Sequence, residues 1–292
     1  NYSQKVLPES FKETSSLAWL GIYTGNLEAL PNSIGEDLSK LVVIQVLNNR
    51  VKNLPESIGK LSKLIYLWVS GNEIELLPDS IGQLDNLFCL WIWNNKISYL
   101  PDTVGNQGHL LFLDANNNRL TSLPDSIGNI KTLRTLTIYN NNITSIPESI
   151  TNLNHLYSLD AWNNSVQALP QNLPNMKALL TVDIRNNFLE GIPEGNVDDG
   201  WKNIKSLLIA GNPLCNNIKY KLPNTVKNMG LEYLCKQQCS VDCPDYFLGG
   251  ACSDGDMSYE HLRDDEWPEA KPVNGGCNTA KCNYDDGACI KK

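Results

Sequence analysis

Asp160 and Asp183 lie 23 residues apart in matching surroundings, "LDAWNN" and "VDIRNN". Carboxyls held side by side can divide general-acid and general-base work, so this pair is the first place to look for chemistry. A reaction would also need a nucleophile or a histidine beside them. The three histidines, His109, His155 and His261, are scattered, and the first two each directly precede a leucine that opens a repeated unit. Neither serine nor cysteine has a base nearby. The acids are therefore read as binding groups, and no enzyme activity is expected.

The aromatic residues offer another chemistry, adhesion. "LFCLWIWNNKISYLP", residues 87–101, places Trp91 and Trp93 in a run without a charge, and Trp19, Tyr23, Tyr66, Trp68, Phe112, Tyr139 and Trp162 recur elsewhere at related spacings. What positions them is a repeat. Leucine-like residues open units at Leu17, Leu41, Leu64, Leu87, Leu110, Leu133, Leu156, Leu179 and Ile204, and the six steps from 41 to 179 are all 23 residues. Each unit reads LxxLxLxxNxLxxLP. The alternation in LxL predicts a short strand with one face inward. The asparagines at 49, 72, 95, 118, 141, 164, 187 and 212 form one column, where an amide can both donate to and accept from the buried backbone of a turn. Segments such as "PESIG" and "PDSIG" put Pro and an acid where a short helical turn would start and Gly where it would stop.

This pattern resembles the leucine-rich repeat family from about Leu7 to Leu214. The resemblance implies an α/β fold, a right-handed leucine-rich repeat solenoid whose concave side is a parallel β-sheet. On that reading residues 1–16 are a partial N-terminal repeat or cap, 17–214 the nine-repeat solenoid, 215–238 a C-terminal cap, and 239–292 a small disulfide-rich module. The first repeat departs from the pattern, with Gly25 at the asparagine site, and "LPESFKETSSL" is the back half of a repeat without its strand. Either residues 1–6 improvise the cap or the natural chain extends upstream.

In LxxLxLxxN the third, fifth, seventh and eighth positions are expected to face solvent on the concave side. Five of the seven tryptophans then share one surface, with four further aromatics. Tyr66, Trp68, Cys89, Trp91, Trp93 and Phe112 form an apolar platform, and Cys89 is expected to be an unpaired, small apolar residue there. Beyond it the lining turns polar, with Asp114, Asn116, Arg134, Tyr139, Asp160, Trp162, Asp183 and Arg185. Such a patch marks an interaction site, and aromatics beside carboxylates and amides suit a peptide or protein surface. Stacking on the rings of a glycan is the alternative, and mutual coverage without a ligand is a third reading.

Eight of the nine cysteines fall in the last 78 residues, which indicates disulfides and an oxidising compartment. Zinc is disfavoured, since that region has one histidine and no paired CxxC. Cys215 and Cys235 are expected to pair and close the last repeat. "CPDYFLGGAC" and "CNTAKCNYDDGAC" resemble the Lin-12/Notch repeat. The resemblance implies bridges Cys239–Cys282, Cys243–Cys277 and Cys252–Cys289, and a Ca2+ ion held by Asp285 and Asn278. Ala288 replaces the family's closing aspartate ligand, and 24 residues, 253–276, replace its short third spacer. The combination resembles secreted or cell-surface proteins of oomycete-type microbes. Asn142-Ile143-Thr144 and Asn163-Asn164-Ser165 are candidate N-glycosylation sequences.

The net charge of −8 argues against a nucleic-acid partner, which requires a basic stripe. No run approaches the roughly 20 apolar residues of a membrane span. The expectation is a secreted or surface-exposed binding protein, a receptor ectodomain among the forms it could take, with a glycan-binding adhesive protein as the alternative.

Overall fold

Each LxL segment folds as a strand, because alternate side chains leave opposite faces of an extended chain. In the computed structural model, which describes residues 5–8, 11–195, 200–216, Val226 and Cys235, nine strands follow one another. They are β1 (Trp19–Tyr23), β2 (Val43–Leu47), β3 (Tyr66–Trp68), β4 (Cys89–Trp91), β5 (Phe112–Asp114), β6 (Thr135–Thr137), β7 (Ser158–Asp160), β8 (Thr181–Asp183) and β9 (Ser206–Leu208). They form one parallel sheet in the order of the sequence. Every repeat therefore touches only its two neighbours, as in a solenoid.

The core is a stack of matching apolar columns. Ile44, Leu67, Leu90, Leu113, Leu136, Leu159, Val182 and Leu207 are register partners on the inward face, all buried. Ile58, Ile81, Val104, Ile127 and Ile150 meet them from the opposite wall. Gln107 interrupts a column occupied elsewhere by Leu61, Leu84, Ile130 and Leu153. It is 2% exposed, its Nε2 donates to the Ile81 carbonyl, and its Oε1 has no partner. Ile81 O also accepts from Leu84 N–H. Gln107→Leu is therefore expected to raise stability by about 1 kcal/mol, since it removes an unsatisfied buried acceptor and adds apolar contact. Urea unfolding of the two proteins measures it.

The asparagine column is a hydrogen-bond ladder. Asn118 Oδ1 accepts from Ile97 N–H at 3.0 Å, and its Nδ2 reaches the carbonyls of Ile92, Ala115 and Asn116. The same arrangement recurs along the column, with Oδ1 of Asn49, Asn72, Asn95, Asn141, Asn164, Asn187 and Asn212 each accepting from a backbone N–H of the preceding repeat. The preceding position has a second role. Asn48, Asn94, Asn117, Asn140, Asn163 and Asn186 adopt φ between 50° and 56°, and Gly71 and Gly211 replace them with φ 67° and 74°. Asparagine tolerates this left-handed turn better than other residues with a Cβ. The recurrent "NN" thus serves a turn first and the ladder second.

On the opposite side run short 3-10 helices, Glu56–Lys60, Asp79–Gln83, Asp102–Asn106, Asp125–Asn129 and Glu148–Asn152, each preceded by Pro. In the first four the glycine expected to stop them lies inside them instead, and Glu148–Asn152 has Thr151 at that place. The role of the glycine is close approach: a Cβ on Gly105 would stand 2.4 Å from the Ser126 carbonyl oxygen of the next repeat. The acid of the same segment also reaches forward, as Glu148 accepts from the backbone N–H groups of Gln171 and Asn172.

The chain divides into two compact units, Asn1–Lys236 and Gln237–Lys292. In the first, Lys5 and Val6 pair with the segment at Glu28 and Ala29, and Asp37 accepts from the Phe11 N–H and the Ser33 hydroxyl. Cys215 and Cys235 form the expected disulfide, with both residues packed against the core. The Notch-like module, its three bridges and the calcium ligands Asp285 and Asn278 lie outside the described residues.

Candidate ligand-binding face

The outward side chains of the sheet stand in two columns fixed by the strand register. Trp19, Val43, Tyr66, Cys89, Phe112, Thr135, Ser158, Thr181 and Ser206 are partners in one. Gly21, Gln45, Trp68, Trp91, Asp114, Thr137, Asp160, Asp183 and Leu208 are partners in the other. The residues at the seventh position, Tyr23, Trp93, Tyr139, Trp162 and Arg185 among them, extend the same face.

The aromatic half packs on itself. Trp68 and Trp91 meet edge to face with ring centroids 4.6 Å apart. Phe88, which the column pattern did not select, joins the face by lying between Tyr66 at 6.3 Å and Phe112 at 5.8 Å. Rungs about 4.8 Å apart are closer than the width of these side chains. Tyr66, Cys89, Trp91 and Phe112 are accordingly buried, not solvent-facing, while Trp68 and Trp93 are half-buried. Trp19 and Tyr23, on the edge strand, remain 49% and 53% exposed. The Tyr23 hydroxyl donates to Gln45 Oε1. Cys89 differs from expectation in its chemistry too: it is a disulfide-bonded cysteine, not an unpaired one. A lone position in the repeat array gave no sign of this.

In the polar half, Asp114 Oδ1 accepts from the backbone N–H of Asn116 and from its Nδ2. Burial pushes the Asp114 carboxyl up to about 7, and the two bonds from Asn116 only partly offset this. An amide chain continues from it, with Asn117 Nδ2 donating to Asn116, Asn140 Nδ2 to Asn117 and Asn163 Nδ2 to Asn140. Asp183 is bound by its own strand neighbour: Arg185 Nε and Nη2 donate to its two oxygens at 3.0 and 2.7 Å. Asp160, next to it in register, is raised well above the usual carboxylate range by burial and by the negative charge of Asp183. Tyr139 and Trp162 stack with centroids 4.8 Å apart and planes 13° from parallel.

The structure thus brings Tyr66, Trp68, Trp91, Trp93 and Phe112 into one group and Asp114, Tyr139, Asp160, Trp162, Asp183 and Arg185 into another on the same sheet. Trp19 and Tyr23 stand at its edge. Both glycosylation candidates are exposed, although Asn163 already donates its amide to Asn140. Among the described residues, no three potential metal-binding side chains converge, and no helix is long and apolar enough to cross a membrane.

A repeat of leucines, a ladder asparagine and one parallel sheet define a leucine-rich repeat protein. Residues 3–98 and 99–190 match the family described as leucine-rich repeat region, and the chain belongs to that family. Among solved structures, it is similar to a leucine-rich repeat protein of Leptospira interrogans, at 26% identity and TM-score 0.69 over 80% of this chain and 57% of that one. It is also similar to the plant peptide hormone receptor RGFR1 in complex with RGF2, at 25% identity and TM-score 0.54 over 72% of this chain and 42% of that one. A third is the ectodomain of the membrane receptor kinase GASSHO1/SCHENGEN3 from Arabidopsis thaliana in complex with CASPARIAN STRIP INTEGRITY FACTOR 2, at 27% identity and TM-score 0.54, over 65% and 24%. The chain spans between about a quarter and just over half the length of these three. No curated protein matches it.

Proposed function

We propose that this chain is an extracellular recognition protein, in the manner of a receptor ectodomain, that holds a peptide or a segment of a protein on its concave face. The observation that carries this reading is the half-buried Trp68, Phe88 and Trp93, supported by the buried rings of Tyr66, Trp91 and Phe112 over three adjacent rungs and flanked by Asp114 and Asn116. Aromatic anchors next to oriented polar groups are where binding energy concentrates in protein interfaces. The two plant receptors of similar fold, solved with RGF2 and with CASPARIAN STRIP INTEGRITY FACTOR 2, support recognition of a peptide or protein by this fold. The Cys215–Cys235 bridge supports an oxidising compartment. The Tyr139–Trp162 stack, flanked by the amides of Asn116 and Asn140, favours a glycan as the second reading.

Peptides selected from a random display library on the purified protein test the reading. The double variant Trp91→Leu with Trp93→Ala keeps apolar volume at the buried position and removes the half-buried ring. It should weaken the selected peptides at least tenfold while the melting temperature stays within a few degrees. Undiminished binding would sink the proposal, and strong signals on a glycan array with no selected peptide would replace it by the second reading.

A further inference from the structure

Three buried oxygens without a partner lie together in the polar half of the face: Thr135 Oγ1, Ser158 Oγ and Asp160 Oδ1. Thr135 and Ser158 are register partners on β6 and β7, and Asp160 follows Ser158 by two residues on the same side of the strand, with Leu159 turned into the core. Thr135 is 4% exposed, Ser158 0% and Asp160 7%. Such groups are ordinarily hydrogen-bonded when buried.

We infer that this patch is the seat for one organic cation of the bound peptide, the guanidinium of an arginine or the ammonium of a lysine, with Asp160 as its carboxylate and the Tyr139–Trp162 stack as its wall. The inference rests on the peptide-binding reading given above and adds a side-chain class to it. Burial and Asp183 disfavour the charge on Asp160 in the free protein, and a cation seated beside it restores the ionised, acceptor-only form. With the two hydroxyls accepting as well, a ligand carrying several donors satisfies all three oxygens at once. A guanidinium has five N–H groups and an ammonium three. Charge points the same way. Asp183 is met by Arg185, and Asp114 Oδ1 by Asn116, whereas Asp160, despite the Trp162 backbone N–H and the charge of Arg185, keeps Oδ1 without a hydrogen-bond partner. Trp162 follows Asp160 by two residues on the same face, about 6.6 Å along the strand. A cation at the carboxylate therefore lies within reach of the stacked rings, which attract positive charge through their faces. A metal ion is a poor match, since calcium wants six to eight oxygens and no three potential metal-binding side chains converge among the described residues.

The test uses the full chain with 15N-labelled tryptophan and three probes: Nα-acetyl-arginine amide, Nα-acetyl-lysine amide and the uncharged Nα-acetyl-citrulline amide. The Trp162 indole signal, assigned with Trp162→Phe, should shift saturably with at least one cationic probe and not with citrulline. In Asp160→Asn, which keeps the shape and loses the charge, that binding should fall at least tenfold. Equal response to citrulline, equal binding by Asp160→Asn, or no saturable shift with either cation overturns the inference. The peptide library separates it from the reading beneath it. Selected peptides that carry no basic residue and ignore Asp160→Asn would leave peptide recognition standing and remove the cation seat. A cationic probe that binds where no peptide is selected would do the reverse.

Discussion

Replacement of Asn141 by alanine is expected to lower stability by about 4 kcal/mol, while Asn142→Ala changes it by less than about 0.5 kcal/mol. Asn141 is buried; its Oδ1 accepts from Leu120 N–H at 2.9 Å and its Nδ2 donates to the carbonyls of Ala115, Ile138 and Tyr139. Alanine leaves the Leu120 N–H without an acceptor and takes one donor from each of three carbonyls in two successive repeats, which keep Asn118 Nδ2 at Ala115, Asn164 Nδ2 at Ile138 and Asn117 N–H at Tyr139. The orphaned buried N–H costs about 1–3 kcal/mol and each of the three lost bonds about 0.5–1 kcal/mol. Asn142, one residue on, is exposed, and an exposed substitution away from special features stays near zero. Urea unfolding of protein made without glycosylation compares the two directly. A difference below about 1 kcal/mol would show that the ladder is not what holds the turns.

The second large effect is a stability that falls as pH rises from 5 to 8. Asp114 moves from 3.8 to about 7 on folding because burial disfavours its charge. Between those values the folded chain binds more protons at this carboxyl than the unfolded chain, so the folded state loses ground with each step of pH. The stabilising contribution is whole below about 3.8 and gone above about 7. Each pH unit is worth about 1.4 kcal/mol, and the solvent still touching this half-buried group reduces the total to about 2 kcal/mol. Asp160 adds to the same trend, as burial, Asp183 and Asp114 raise it more strongly than Arg185 and the Trp162 backbone N–H lower it. Glu28, Glu36 and Glu73 are held below the usual carboxylate range by Lys5, Lys60 and Lys96, so they are already ionised at pH 5 and do not oppose it. Calorimetry at pH 5, 6, 7 and 8 should show the melting temperature declining, and Asp114→Asn should flatten the decline. An unchanged slope in that variant would remove Asp114 as its source.

The repeat made most of this architecture legible. A 23-residue period with LxL in each unit places all nine strands and assigns every outward column, and the asparagines announce the ladder. What the pattern could not carry is how neighbouring rungs treat one another. Tyr66, Trp91 and Phe112 read as outward residues and are outward, yet neighbours a strand spacing away bury them. Phe88 sits one position before the predicted strand and still fills the gap between two rings. Gly105 reads as a stop signal, but its need for space comes from Ser126 in the following repeat. Asp114, Asp160 and Asp183 are identical letters in one column. Only the placement of Asn116 and Arg185 shows that the outer two have partners and the middle one has a bare oxygen.

The in-register stacking of the strands also turns the face into a measuring stick. Each rung advances about 4.8 Å, whereas an extended peptide advances about 3.3 Å per residue. Trp93, in the rung of β4, and Asp160 on β7 are three rungs apart. A peptide laid across the rungs therefore spans that interval of about 14 Å with about four residues. Ligands that use both anchors should carry an apolar residue and a basic one four positions apart. Addition or loss of one whole repeat between the anchors would lengthen or shorten that motif by one to two residues.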